Sequence, residues 1–135
     1  MYIVNRDQKK MKFTFNATLI KNAVSILKSL YNEANFIFYE DYVEITIIDT
    51  SKSAAFVVTL TPLESTTGDK QFVLYGVNLQ QLYQFVRNTK KTDIIAFEAS
   101  ANSKESLGVR VVDLQGQAKK LFLPRDVSHR LGVQT

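Results

Sequence analysis

The chain has 135 residues, 45% hydrophobic and 22% charged, the size and composition of one compact domain, which excludes a disordered or fibrous protein. Its net charge of +4 is the excess of 17 Lys and Arg over 13 Asp and Glu, and it has no cysteine and one histidine. Those counts exclude a disulfide, a thiolate metal site, a cysteine nucleophile and a histidine metal cage, and no apolar run approaches the ~20 residues of a membrane helix. The expectation is a soluble, intracellular protein with no cofactor, no metal and no membrane partner. The charge is unevenly placed. Arg6, Lys9 and Lys10 oppose Asp7 near the start, and Lys119, Lys120, Arg125 and Arg130 oppose Asp126 near the end. Without these two segments, 10 basic face 11 acidic residues between 11 and 118, so any basic surface there must arise by sorting.

In chain order, Lys12 to Asn16 alternates Phe13 and Phe15 with polar neighbours, the pattern of a half-buried strand. From Thr18 to Tyr31 the period changes, and Ile20, Ala23, Val24, Leu27, Leu30 and Tyr31 recur at steps of three and four. Lys21, Asn22, Ser25, Lys28, Ser29 and Asn32 fall on the opposite face of this predicted helix. Strands are predicted over Asn35–Tyr39, Val43–Asp49 and Ala54–Thr61, followed by a loop over Pro62–Lys70. The order then begins again. Gln71–Tyr75 reads as a strand, and Asn78 is placed to cap a second helix with Gln81 three residues on. Leu79, Leu82, Tyr83 and Val86 form its apolar stripe, and Ile94–Ala99, Leu107–Val112 and Ala118–Leu123 supply three more strands.

The predicted order is therefore strand, helix, three strands, twice over, with helix starts about sixty residues apart. Each helix must lay its stripe on a sheet, so two repeats sharing one core place two helices side by side on antiparallel β-structure, an α+β fold. Their outer faces then carry Lys21, Lys28 and Arg87, with Lys90 and Lys91 just beyond, and no acidic residue lies between Thr18 and Asn32. Glu40, Asp41, Glu44, Asp49, Glu64 and Asp69 lie in strands and loops, so charge is segregated by element type.

From Met11 to about Val133 the chain resembles the first domain of a PCNA-type DNA sliding clamp (the proliferating cell nuclear antigen family). The resemblance rests on Leu-Lys-Ser-Leu-Tyr-Asn-Glu-Ala at 27–34, Ile-Asp-Thr-Ser at 48–51, Gly-Val-Asn-Leu at 76–79, Thr-Asp-Ile-Ile at 92–95 and Leu-Gly-Val at 131–133. It implies a polymerase processivity factor without enzymatic activity. Such a factor is a homotrimeric ring of two-domain subunits around double-stranded DNA, loaded by a clamp loader at a nuclear or viral replication site. Carried over by position, Lys21, Lys28 and Arg87 face DNA, Asn22 and Gln84 stand where relatives often carry Lys, and Lys90 and Lys91 extend the lining. The resemblance also implies a subunit-pairing strand at Lys119, Lys120, Leu121, Phe122 and Leu123, and a pocket for client peptides at Ile48, Leu131 and Val133. The expected organisation is a leader over 1–10, a clamp domain over 11–125 and the start of an interdomain connector over 126–135, with the second domain absent. Either a fragment of a two-domain subunit or a single-domain clamp fits that arrangement.

A rival reading makes the chain a single-stranded nucleic-acid-binding module, with Tyr2, Tyr39, Tyr42 and Tyr75 as candidate stacking platforms. Core packing accounts better for most of the six Tyr and nine Phe, because they occupy alternating strand or helix-stripe positions. Asp41 and Glu44 lack a nucleophile or an anchored histidine beside them, His129 reads as a surface residue, and the five glycines form no phosphate-binding loop.

Overall fold

The alternation and stripes read above fold into nine strands and two helices in a computed structural model that describes residues 10–48, 55–66, 73–100 and 106–124. In chain order these are β1 (Lys10–Asn16), α1 (Ala17–Lys28), β2 (Glu33–Phe38), β3 (Val43–Ile48), β4 (Ala55–Leu60), β5 (Glu64–Thr66), β6 (Val73–Asn78), α2 (Leu79–Val86), β7 (Ile94–Ser100), β8 (Ser106–Val112) and β9 (Ala118–Pro124). Lys10, placed at the end of the predicted leader, instead begins β1 and pairs with Ser100; residues 1–9, the predicted connector, the Asp49-Thr50-Ser51 turn and His129 lie outside the described residues.

Both repeats are present, and each gives its first strand to the other. The sheets run β5-β1-β7-β8-β9 and β4-β3-β2-β6, every neighbouring pair antiparallel. Thus β1 of the first repeat pairs with β7 from Lys10↔Ser100 to Asn16↔Ile94, while β6 of the second pairs with β2 from Glu33↔Asn78 to Phe38↔Val73. The helix starts are tied by the same exchange. Ala17 N–H donates to the Asp93 carbonyl at 3.0 Å, and Leu79 N–H donates to the Asn32 carbonyl at 2.8 Å. Each bond satisfies an amide that a helix start leaves open, with a carbonyl just ahead of the strand that the exchange pairs. Asn78 caps α2 as its position predicts, its Oδ1 accepting from Gln81 N–H at 2.9 Å.

The core forms where the two sheets face each other beneath the helices. Phe13 meets Phe38 edge-on at 5.1 Å, and Phe38 also packs on Tyr75 at 6.1 Å and Phe97 at 5.7 Å. Ile20, Val24 and Leu27 of α1 and Leu79, Leu82 and Val86 of α2 are buried against this cluster. Tyr75 is buried in it, which removes one of the candidate stacking platforms.

Two predicted features are corrected. Pro62–Lys70 is not all loop, because Glu64–Thr66 forms β5 along β1. Three residues are too few to show alternation, and what holds them is distant: Leu63 N–H donates to the Thr14 carbonyl, Glu64 N–H to Thr14 Oγ1, and Ser65 Oγ to the Glu40 carbonyl. Leu30 leaves the α1 stripe and is 56% exposed. The helix ends at Lys28, where the Ser29 hydroxyl and amide both bond the Ile26 carbonyl, so the helical period no longer applies at residue 30.

Candidate nucleic-acid interface

The seven residues expected to face DNA all lie on the helical layer or in the turn that follows α2. Asn22, Gln84, Arg87, Lys90 and Lys91 are exposed, whereas Lys21 and Lys28 are half-buried. At 100° per residue, Lys21 and Lys28 share one side of α1, and Asn22 lies toward the side opposite the core. Both lysines turn toward α2. Lys21 Nζ donates to the Thr89 carbonyl at 3.4 Å, and Lys28 Nζ sits 4.6 Å from the centre of the Tyr83 ring. No acidic residue lies in either helix, so neither cation is neutralised within the helical layer.

The turn carrying Lys90 and Lys91 is built on Asp93, which is buried. Its Oδ2 accepts from Lys90 N–H at 2.9 Å, and its own N–H bonds the Lys90 carbonyl. A cleft of about 380 Å³ separates this turn from the β8–β9 turn, with Lys90 on one wall and Lys119 on the other. Lys119 also reaches back over Phe85 of α2, 5.8 Å from the ring centre.

The strand expected to pair with a neighbouring subunit is the outermost strand of its sheet, so its far edge carries no described partner. Its side chains are disposed differently from a simple apolar edge. Leu123 is buried and Leu121 half-buried against the core, Lys119 and Lys120 are exposed, and the Phe122 side chain lies outside the described residues. The edge therefore offers backbone donors and acceptors flanked by lysines. Lys120 also lies 3.8 Å from Glu98, which binds Arg110. Of the expected client pocket, Ile48 ends β3, its side chain lies outside the described residues, and so do Leu131 and Val133.

A separate acidic group surrounds the β2–β3 turn. Glu40 and Asp41 are exposed in the β2–β3 turn, and Tyr39 stacks on Tyr42 with ring centres 4.7 Å apart and planes at 21°. Tyr39 donates its hydroxyl to Glu44 Oε1 at 3.2 Å. One face of each ring is thus taken by the other, beside carboxylates that repel phosphate, which disfavours these tyrosines as base-stacking platforms. Partial desolvation, then the hydrogen bond and charge of Glu44, hold the Tyr39 phenol above its ordinary 10.0. A raised value means the fold favours the neutral phenol, so that contribution is full below about pH 10 and fades as pH rises further. In absorbance titrations of wild type and Glu44→Gln, one tyrosine equivalent is expected to ionise earlier in the variant, because the hydrogen bond and charge of Glu44 that help raise Tyr39 are removed. An unchanged profile in that variant would disprove the pairing.

The sequence reading missed Tyr83 and Thr89 as partners of the lysines, and the exposed apolar side chains Leu19, Ile26 and Leu30 of α1 and its end. Leu19 and Ile26 lie roughly 140–180° around the helix from Lys21 and Lys28, on the side away from α2.

Two helices side by side over two antiparallel sheets, with an internal repeat that exchanges strands, define a DNA-clamp domain. The chain matches the family described as proliferating cell nuclear antigen, N-terminal domain, over residues 10–120, and it belongs to that family. A comparison with curated proteins returns no match. Clamps of this family are scaffolds that carry out no chemistry, and they bind DNA and client proteins as rings. Among the described residues no helix is long and apolar enough to cross a membrane.

Proposed function

We propose that the protein is a DNA polymerase processivity factor that closes around double-stranded DNA with other clamp domains and recruits replication and repair proteins to it. The observation that carries this reading is the sorting of charge on a clamp fold. Lys21 and Lys28 lie on α1 and Arg87, Lys90 and Lys91 in the turn that follows α2, no acidic residue lies in either helix, and Glu40, Asp41, Glu44 and Glu64 lie on strands and their turns. Cations facing the duplex attract phosphates without reading bases, as sliding requires. Asn22 and Gln84 leave that lining sparse, which favours holding DNA by enclosure over holding it by adhesion.

Closure uses the two open flanks. β9 ends one sheet, with its Lys119 over Phe85 of α2; β4 ends the other, and Leu19 and Ile26 of α1 and Leu30 just beyond it are exposed and apolar. A neighbouring clamp domain covers each, in a homotrimeric ring if the subunit has two domains. DNA polymerase and other clients dock through short peptides at Ile48, Leu131 and Val133, a clamp loader opens the ring, and its place of action is a nuclear or viral replication site. These roles are supported by the family resemblance.

Topology supplies the test. Protein loaded on circular duplex DNA is expected to dissociate when the circle is cut and its ends are free, and to stay when the ends are blocked. Equal retention on cut and circular DNA would mean adhesive binding and would overturn the reading.

A further inference from the structure

We infer that Tyr83 is a positioning residue for Lys28, holding its ammonium at the seam between the helices in place for a phosphate. The inference rests on the helical layer facing DNA and identifies how that layer aims its charge.

Apolar spacing places Tyr83 among the core residues of α2, but Leu79, Leu82 and Val86 are buried and Tyr83 is only half-buried. The part of Tyr83 left outside the core lies under the Lys28 ammonium, 4.6 Å from the ring centre, within the range of a cation–π contact. A lysine has a long flexible stem, and an unrestrained one must lose rotamer freedom when it meets a phosphate. A carboxylate partner would also restrain it, but would cancel the charge that phosphate needs. An aromatic face restrains the ammonium and leaves its charge whole. Lys21 follows the same pattern with different chemistry, because its partner, the Thr89 carbonyl, is also neutral and also comes from the α2 side. Thr89 is itself fixed, its hydroxyl and amide both bonding the Val86 carbonyl. Both lysines of α1 are thus aimed from across the seam by groups without net charge.

The experiment follows backbone amide shifts of the full chain during titration with a short duplex DNA at low ionic strength. Wild type is compared with Tyr83→Phe, Tyr83→Leu, Lys28→Met and the Tyr83→Leu/Lys28→Met double variant. Tyr83→Phe keeps the ring and is expected to bind as wild type does. Tyr83→Leu is expected to weaken binding by about two- to fivefold, the range of an exposed cation–π contact. In the Lys28→Met background the same change is expected to have no effect, since a positioning role vanishes with the group positioned. The Lys28 ε-methylene protons are expected upfield in wild type and Tyr83→Phe, and at ordinary shifts in Tyr83→Leu. A loss of equal size with and without Lys28, or stronger binding by Tyr83→Leu, overturns the inference while leaving the DNA-facing layer intact. Failure of the wild type to shift with duplex even at low ionic strength overturns the inference, because no phosphate then meets the positioned ammonium, whereas enclosure is decided by retention on circular and cut DNA.

Discussion

Phe38→Ala is expected to lower the stability of the fold by about 3–5 kcal/mol, the cost of truncating a buried aromatic and leaving a cavity. The position is chosen by geometry. Phe38 is fully buried and touches Phe13, Phe36, Tyr75 and Phe97, so one ring joins β1 and β7 of one sheet to β2 and β6 of the other. The surrounding rings cannot collapse into the void without drawing the sheets together, so little of the cost is recovered by relaxation. Against a typical total of about 5–15 kcal/mol, the loss removes a large share of the stability. Urea unfolding should show a lowered midpoint with an unchanged slope, and Val57→Ala, on an exposed strand face, should shift it by less than about 0.5 kcal/mol. A loss below about 1 kcal/mol in Phe38→Ala would show that the packing between the sheets contributes little.

The second large effect is on DNA. Lys21→Glu with Lys28→Glu is expected to weaken duplex binding at least about tenfold at low salt, because two phosphates lose their cations and meet carboxylates instead. The log–log salt dependence should become shallower by about 0.9 for each phosphate no longer neutralised. Both side chains are half-buried at the rim of the seam, so the substitutions reach the charged layer without entering the core. Lys28 occupies the last turn of α1, where a glutamate opposes the helix dipole at a cost of about 0.3–1 kcal/mol, too little to unfold the domain. Circular dichroism should therefore be unchanged while polymerase stimulation falls. Full stimulation with an unaltered salt slope would remove these lysines from the interface.

The core and the charged seam differ in how far each is legible along the chain. The buried side of α1 is visible in the spacing of Ile20, Val24 and Leu27, and the start of α2 in Asn78 and Gln81, because a helix repeats its environment every three to four residues. The alternation of Phe13 and Phe15 likewise marks β1. The short strand β5 has no such signature, since its place comes from Thr14 and Glu40, far from it in the chain. The candidate interface divides in the same way. Lys21 and Lys28 are evident as cations on one helix, but the Thr89 carbonyl that Lys21 meets is 68 residues away. Tyr83 satisfies the core pattern of its own helix, and nothing local distinguishes it from Leu82.

Residue order alone specifies the two helices and their apolar faces, the repeated order of elements, and a body whose charges are sorted while its total remains near neutral. Three features arise only when the chain is folded: the first strands change places between repeats, the helix starts are closed by carbonyls of Asp93 and Asn32, and the α1 lysines lean toward α2. The division follows the range of each interaction. Periodicity and capping act within a few residues, whereas strand exchange and the seam are settled by the one arrangement that buries both sheets' aromatic faces together.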